Sequence, residues 1–328
     1  MKIGPYHIPG RAWLAPMAGV TDLPFRRLCH EFGAAVTPSE MLTSDTRLYH
    51  TRKSQLRRVH EAEPAPRVVQ LAGADPAQVA TAARLNVDEG AQIIDINMGC
   101  PAKKVCDRLC GSALLGDAAL VARILEATVR AVNVPVTVKI RTGLTPATRN
   151  AVQIAQLAER CGIAAIAVHG RTRAQRFEGE AEFATIADVV RAVRIPVIAN
   201  GDIRDAQRAR EVLAQTGAAA IMIGRGAQGS PWIFRDVNAF LLQGEIAAPL
   251  LRVQMTEIIL RHLESLYEFY GETAGVRIAR KHLGWYCQLQ SHASDLRPML
   301  MAAESSVSQM EVARREFGRW AHEGARAA

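Results

Sequence analysis

Cysteine is scarce in this chain. Six residues (Cys29, Cys100, Cys106, Cys110, Cys161 and Cys287) are spread through 328 positions with no CxxC pair among them. That excludes a disulfide scaffold and argues against a zinc or dithiol-redox motif, so no metal is expected. Long apolar runs are also missing. The longest, such as Gly162 to Val168 and Gly217 to Ile223, fall far short of the ~18 residues a membrane span needs. The opening MKIGPYHIPGR has no apolar stretch of signal-peptide length, which predicts a cytoplasmic protein away from membranes. Nor is there a compositional excess typical of disorder. Hydrophobic residues make up 49% and charged residues 22%, enough apolar surface for a sizeable core. The length suits about two domains, or one α/β barrel of about 250 residues with an appendage. The net charge of +8 permits a nucleic-acid partner without establishing one. Nothing in the sequence implies an obligate protein partner.

What is present is a repeat of form. Eight short apolar, β-branched segments recur: Trp13–Pro16, Ala35–Glu40, Arg67–Leu71, Gln92–Asn97, Val136–Ile140, Ala165–His169, Val197–Asn200 and Ala219–Ile223. A turn and then a helical pattern follow most of them: Pro76–Glu89, Asp117–Val132, Pro146–Arg160, Phe183–Val193 and Asp205–Thr216. Asp75 before Pro76 and Thr145 before Pro146 read as N-caps ahead of a first-turn proline. Gly90, Gly162 and Gly217 stand where left-handed C-caps are wanted. Strands alternating with helices over about 230 residues predict a closed (β/α)8 TIM barrel in residues 1–244. From about Leu250 the pattern is helical only: Leu251–Tyr270, Val276–Gln290, Asp295–Ala303 and Ser306–His322. Residues 245–328 therefore read as a C-terminal all-helical bundle domain, with Gly244 to Pro249 as linker. The first nine residues after Met1 look like a hairpin plugging the barrel's N-terminal face.

The chemistry of such barrels sits at the C-terminal ends of the strands. Here those ends deliver Pro16-Met17-Ala18-Gly19, Glu40, Gln70, Asn97 to Pro101, Lys139 to Arg141, His169 to Arg173, Asn200-Gly201-Asp202 and Gly224-Arg225-Gly226. Each alone could be a turn or a satisfied core residue; their convergence on one rim points to an active site. The last two loops suit a phosphate, with Arg225 adding a cation. Gly224-Arg225-Gly226-Ala227-Gln228-Gly229 also matches GxGxxG literally. A dinucleotide fold would want a further strand ending in an acid about 20 residues on. Residues 231–243 look helical instead, so a mononucleotide phosphate is the preferred reading. Two basic clusters remain, Arg47 to His60 and Arg277/Arg280/Lys281, for which a solvated helix face is the plain alternative.

Seven motifs in order carry a resemblance. They are Pro16-Met17-Ala18-Gly19-Val20-Thr21-Asp22, Asn97-Met98-Gly99-Cys100-Pro101-Ala102-Lys103-Lys104-Val105, Gly111-Ser112-Ala113-Leu114-Leu115, Lys139-Ile140-Arg141-Thr142-Gly143, His169-Gly170-Arg171-Thr172, Asn200-Gly201-Asp202-Ile203 and Ile223-Gly224-Arg225. Together they resemble the signatures of the tRNA-dihydrouridine synthases. Gln228-Gly229-Ser230-Pro231-Trp232-Ile233-Phe234 and Arg277-Ile278-Ala279-Arg280-Lys281-His282 make the bacterial B subfamily the nearest likeness. The resemblance implies an FMN-dependent oxidoreductase that reduces a uridine of the tRNA D-loop, at position 17 by subfamily, with NADPH as electron donor. It implies Cys100 as the general acid that protonates uracil C5, since an unperturbed thiol is mostly protonated near neutrality. It implies Lys139 as the cation beside flavin N1 and O2, Gln70 at the flavin pyrimidine edge, and the Pro16, Met17 and Ala18 backbone along the isoalloxazine. His169, Asn200, Gly201, Asp202, Gly224 and Arg225 would complete the cofactor site. Asn97, Arg141 and Arg173 would hold the target nucleotide. On Val276–Gln290 the residues Arg277, Arg280 and Lys281 share a helix face expected to meet tRNA phosphates. Cys106 and Cys110 depart from the pattern and leave open a local redox sensitivity. Two rivals remain: a dihydroorotate-dehydrogenase-like enzyme with a small substrate, and an RNA-binding module without chemistry.

Overall fold

A computed structural model describes residues 1–325 except Arg108 and His292; for Lys104, Gly324 and Ala325 it describes the backbone alone. The strands are β1 (Lys2–Ile3), β2 (Tyr6–His7), β3 (Ala12–Leu14), β4 (Leu42–Thr43), β5 (Val68–Ala72), β6 (Ile93–Met98), β7 (Val136–Arg141), β8 (Ala165–His169), β9 (Val197–Asn200) and β10 (Ala220–Ile223). β1 and β2 form the expected hairpin, and Ile3 packs with Trp13, Val68, Ile93 and Ala165 inside the end of the barrel opposite the strand C-termini. The other eight make one parallel sheet in the order β3-β10-β9-β8-β7-β6-β5-β4. Helices α1 (Leu23–Glu31), α2 (Arg52–Gln55), α3 (Pro76–Asp88), α4 (Lys103–Cys106), α5 (Ala118–Ala131), α6 (Ala151–Arg160), α7 (Ala184–Ala192), α8 (Ala206–Thr216) and α9 (Ile233–Gln243) surround it in a TIM-barrel-like fold.

The strands are nearly continuous runs of buried residues, because a parallel sheet is covered on both faces. Four of the helices start on carboxylates. Asp22, Asp75, Asp117 and Asp205 accept the third-turn-residue N–H of α1, α3, α5 and α8 at 2.7–3.0 Å. Each satisfies an orphan donor and opposes the helix dipole.

Two expected elements differ. Ala35–Glu40 is not a regular strand. Ala35 N donates to Ala12 O, Leu14 N to Val36 O and Ser39 N to Val68 O, each at 2.9 Å, so the segment closes the gap between β3 and β5 through separate bonds. Pro38 has no N–H to give, and ladder pairing resumes only at β4. The helix expected from Pro146 is one 3-10 turn, Pro146–Thr148; α6 starts after Asn150, whose N–H, with that of Ala151, turns back to Thr142 O. The GxGxxG segment leads into α9, and no strand follows it among the described residues, which removes the dinucleotide reading.

The tail is helical: α10 (Arg252–Tyr270), α11 (Glu272–Tyr286), α12 (Ala293–Ala302) and α13 (Ser306–Ala325). Ile259, Leu263, Leu266, Leu283, Leu300 and Phe317 form its own core, joined by Leu28 of α1 and Trp232. Among the described residues no helix is long and apolar enough to cross a membrane. The seam with the barrel is polar as well as apolar. The Tyr270 hydroxyl donates to Asp22 Oδ2 (3.1 Å) and Arg52 Nη2 to Tyr270 O (2.5 Å).

Asp22 therefore caps α1 and meets the tail while fully buried. Burial, with the charge of Glu40 adding to it, pushes its carboxyl up to about 6 from 3.8. A raised acid stabilises the fold below its unfolded value and loses that contribution as pH rises through the folded one. Wild-type stability should thus fall relative to Asp22→Asn between about pH 4 and pH 6, by on the order of 3 kcal/mol. Urea midpoints across that window check this; parallel curves for the two proteins would show that Asp22 titrates normally.

Candidate active site

A cleft of about 620 Å³ opens at the C-terminal rim of the barrel. Register decides which side chains meet there: Asn97 stands opposite Lys139, Arg141 opposite His169, and His169 opposite Asn200. Pro16, Met17, Ala18, Gln70, Asn97, Cys100, Lys139, His169, Asn200, Gly201, Asp202, Gly224 and Arg225 all line the cleft. The residues singled out for cofactor and proton transfer are brought to one place, together with Asn97, which was expected to hold the target nucleotide.

Cys100 sits on a loop held from both sides. Asn97 Oδ1 accepts the N–H of Gly99 (3.2 Å) and of Cys100 (3.0 Å). The Cys100 carbonyl accepts Ser112 N (3.0 Å) and Ser112 Oγ (2.9 Å). Gly111 makes this approach feasible. Its φ is +61°, and a Cβ there would lie 2.7 Å from Cys100 O. The thiol is half-buried, and desolvation raises its pKa despite the nearby cations Arg141 and Lys139, so it stays protonated at neutral pH. Cys106 is buried under the same loop, its Sγ 3.5 Å from Cys100 O and 3.7 Å from Ser112 Oγ.

Lys139 is buried on the cleft floor. Nζ donates to Asn200 Oδ1 (3.0 Å), and Asn200 Nδ2 in turn donates to Met222 O (2.7 Å). Burial and then Arg141 lower its pKa to about 8, partly opposed by Asp95 and Cys100. It is a cation at neutral pH, in a setting that gains from a neighbouring anion. His169 is held far below its usual pKa by burial and by Lys139, Arg141, Arg171 and Arg225, and so is neutral.

The opposite wall is built on Asp202. It accepts Arg171 Nη1 and Nη2 (3.0 and 2.5 Å), Arg225 Nη2 (3.0 Å) and Ala181 N (2.8 Å). Burial would raise its pKa, but the hydrogen bonds and charge of these partners outweigh that and hold it below the usual range. Glycines let the two loops pack: a Cβ at Gly201 would lie 2.6 Å from Ala181 Cβ, and one at Gly226 2.3 Å from Ile203 O. A 3-10 turn, Arg225–Ala227, follows Gly224, and its first bonded donor is Ala227 N, so the N–H groups of Gly224 to Gly226 precede its ladder. Loop amides, Arg225 and a buried lysine are a donor set for an anion; among the described residues no group of three or more His, Cys, Asp or Glu could hold a metal ion.

Other expected contacts lie elsewhere. Arg141 is buried behind the cleft rather than lining it, and its donors go to Gly99 O (2.8 Å), Thr172 O (2.9 Å) and Arg176 O (2.7 Å). It braces the Cys100 loop against the β8–α7 loop. Arg173 is exposed outside the lining. On α11 only Arg277 projects without a backbone partner of this kind; Arg280 Nη2 donates to Ala303 O (3.0 Å), and Lys281 Nζ donates to Gly19 O. A shared helix face does not survive as three free cations, because the tail's own packing takes one and the barrel takes another. Sequence reading missed Phe177 and Asp95, and gave Arg171 no role although it stands in one of the seven motifs. Arg171 was visible two residues past His169, whereas nothing marked Phe177, an exposed ring 5.3 Å from the Arg141 guanidinium and 5.5 Å from that of Arg225.

A family model described as dihydrouridine synthase matches residues 13–321. A Pseudomonas aeruginosa protein named tRNA-dihydrouridine synthase B is 57% identical over 97% of this chain and 96% of its own. One of the same name from Salmonella typhimurium is 53% identical over 98% of this chain and 100% of its own. Among solved structures, inosine 5'-monophosphate dehydrogenase from Legionella pneumophila is similar over 67% of this chain and 60% of its own, with 18% identity and a TM-score of 0.47.

The Gly111 contact generates a matched pair of variants. Gly111→Ala meets both a left-handed φ and the Cys100 carbonyl, whereas Gly179→Ala meets a similar φ (+62°) with nothing within 4 Å. Strain alone should cost about 1–2 kcal/mol in Gly179→Ala. Gly111→Ala should lose clearly more in urea unfolding. Equal losses would show that the loop yields and that Gly111 does not set the Cys100 carbonyl.

Proposed function

The chain belongs to the dihydrouridine synthase family, and from that premise we propose that it reduces a uridine of the tRNA D-loop to 5,6-dihydrouridine, at position 17, in the cytoplasm, with FMN as resident cofactor and NADPH as electron donor. The observation that carries this reading is the placement of Cys100, on its braced loop, in the same cleft as the buried Lys139. We also read residues 1–244 as the catalytic barrel and 245–328 as the tRNA-recognising bundle.

The residues present fit FMN. Two glycine-bearing loops with Arg225 suit one terminal phosphate, Lys139 suits the anionic edge of a reduced flavin, and the 16–18 backbone supplies an apolar wall. When bound, the flavin supplies hydride to uracil C6. The rest falls to this chain. Negative charge arriving at C5 and O4 needs a proton at C5, and Cys100 Sγ holds one. Asn97 and Ser112 fix the loop that presents it. Neutral His169 adds a polar edge without a competing charge. A base must leave the tRNA stack to reach this cleft. Of the cations expected at the tRNA, Arg173 and Arg277 are exposed and would meet phosphates, while Arg280 and Lys281 serve carbonyls.

Purified protein should be yellow with stoichiometric FMN; stoichiometric FAD would overturn the mononucleotide site. Cys100→Ala should keep FMN, bind tRNA and accept electrons from NADPH, yet form dihydrouridine roughly 100- to 10,000-fold more slowly. Mass spectrometry of the D-loop reads the product. Near-normal formation by that variant would remove Cys100 from the reaction.

A further inference from the structure

Asp95 lies one layer below the cleft, 6% exposed, between two cross-strand neighbours: Gln70 on β5 and Thr137 on β7. Thr137 Oγ1 donates to Asp95 Oδ1 (2.7 Å) and Gln70 Nε2 to Asp95 Oδ2 (2.7 Å). Gln70 Oε1 accepts Asn97 Nδ2 (2.7 Å), and Asn97 Oδ1 accepts the Cys100 N–H (3.0 Å) and the Gly99 N–H (3.2 Å).

We propose that Asp95 is a positioning residue for Cys100, acting by fixing the direction of two amides in series. A carboxylate offers only acceptors, so it requires the NH2 end of Gln70. Gln70 must then present oxygen to Asn97, which requires the NH2 end of Asn97. Asn97 in turn must aim its oxygen at the Gly99 and Cys100 N–H groups. Each amide has nearly the same shape after a half-turn, so packing alone sets neither orientation. Removing the carboxylate frees Gln70 to turn. A turned Asn97 would put NH2 against two backbone N–H groups and push the loop away. Asp95, Gln70 and Asn97 are all buried, where a wrongly directed donor is costly.

The inference rests on Cys100 as proton donor for its functional meaning, but its geometry is testable without turnover. Holoenzyme is treated with iodoacetamide and labelling of the Cys100 peptide is timed by mass spectrometry. Asp95→Leu, which has no acceptor, should label Cys100 fivefold faster or more. Asp95→Asn should stay within twofold of wild type. Its oxygen can still take Gln70 Nε2 while its NH2 donates to the Thr137 hydroxyl, which accepts as readily as it donates. A wild-type rate for Asp95→Leu would overturn the proposal. So would equal acceleration in both variants, which would point to lost charge rather than lost direction. Labelling of fully buried Cys29 reports opening of the whole barrel. Where Asp95→Leu opens it, Gln70→Met decides by the same criterion: it breaks the chain one link on and leaves Thr137 on Asp95. Normal dihydrouridine formation by Cys100→Ala would sink the catalytic reading and leave this labelling result standing.

Discussion

Parallel pairing with a fixed register is the constraint on which the site depends. Once β5 to β9 align as they do, Gln70, Asp95 and Thr137 fall in one row, and Asn97, Lys139, Arg141, His169 and Asn200 interleave above them. A slip of one residue in β6 would send Asp95 and Asn97 to the helix side. The apolar runs that surround these residues hold the register, since each strand is packed on both faces.

Such a floor concentrates ionisable groups where water is scarce, and the structure resolves them by pairing and by neutrality. Asp202 collects two arginines, Glu40 accepts Arg57 and the Gly19 N–H, and Lys139 leans on an amide oxygen. Cys100 and His169 stay neutral. Among the described residues no carboxylate is hydrogen-bonded to Lys139, whose Nζ meets the Asn200 amide oxygen, which is why an anionic cofactor edge suits that spot.

Much of this was legible in the chain. Strand-end polar residues, the Asp75 N-cap and the hairpin were readable because each follows from local chemistry and period. The order of motifs along the chain carried the family. What could not be read was the destination of long side chains. Arg141 ends a strand as a ligand-binding arginine would, yet three carbonyls from two loops claim it. Arg280 and Lys281 occupy a helix face as spacing requires, but spacing does not say what stands opposite. The segment 35–40 has strand composition, and Pro38 breaks its ladder in a way that only the closing of the sheet makes tolerable. Asp95 drew no reading from the sequence, because its partners come from neighbouring strands.

Helix α11 meets two of the barrel's loops from one face. Lys281 reaches the carbonyl of Gly19, and one turn later the Trp285 backbone lies against Gly229, where a Cβ would approach its oxygen to 2.8 Å. Gln228 Nε2 and Met17 Sδ, 3.8 Å apart, link the same two loops directly. The loops after the first and last strands are thereby tied to a single rod, and their positions become one variable rather than two. A ligand that binds the bundle and displaces α11 moves both loops together, and any factor by which it changes affinity in the cleft is the factor by which a cleft ligand changes its own affinity.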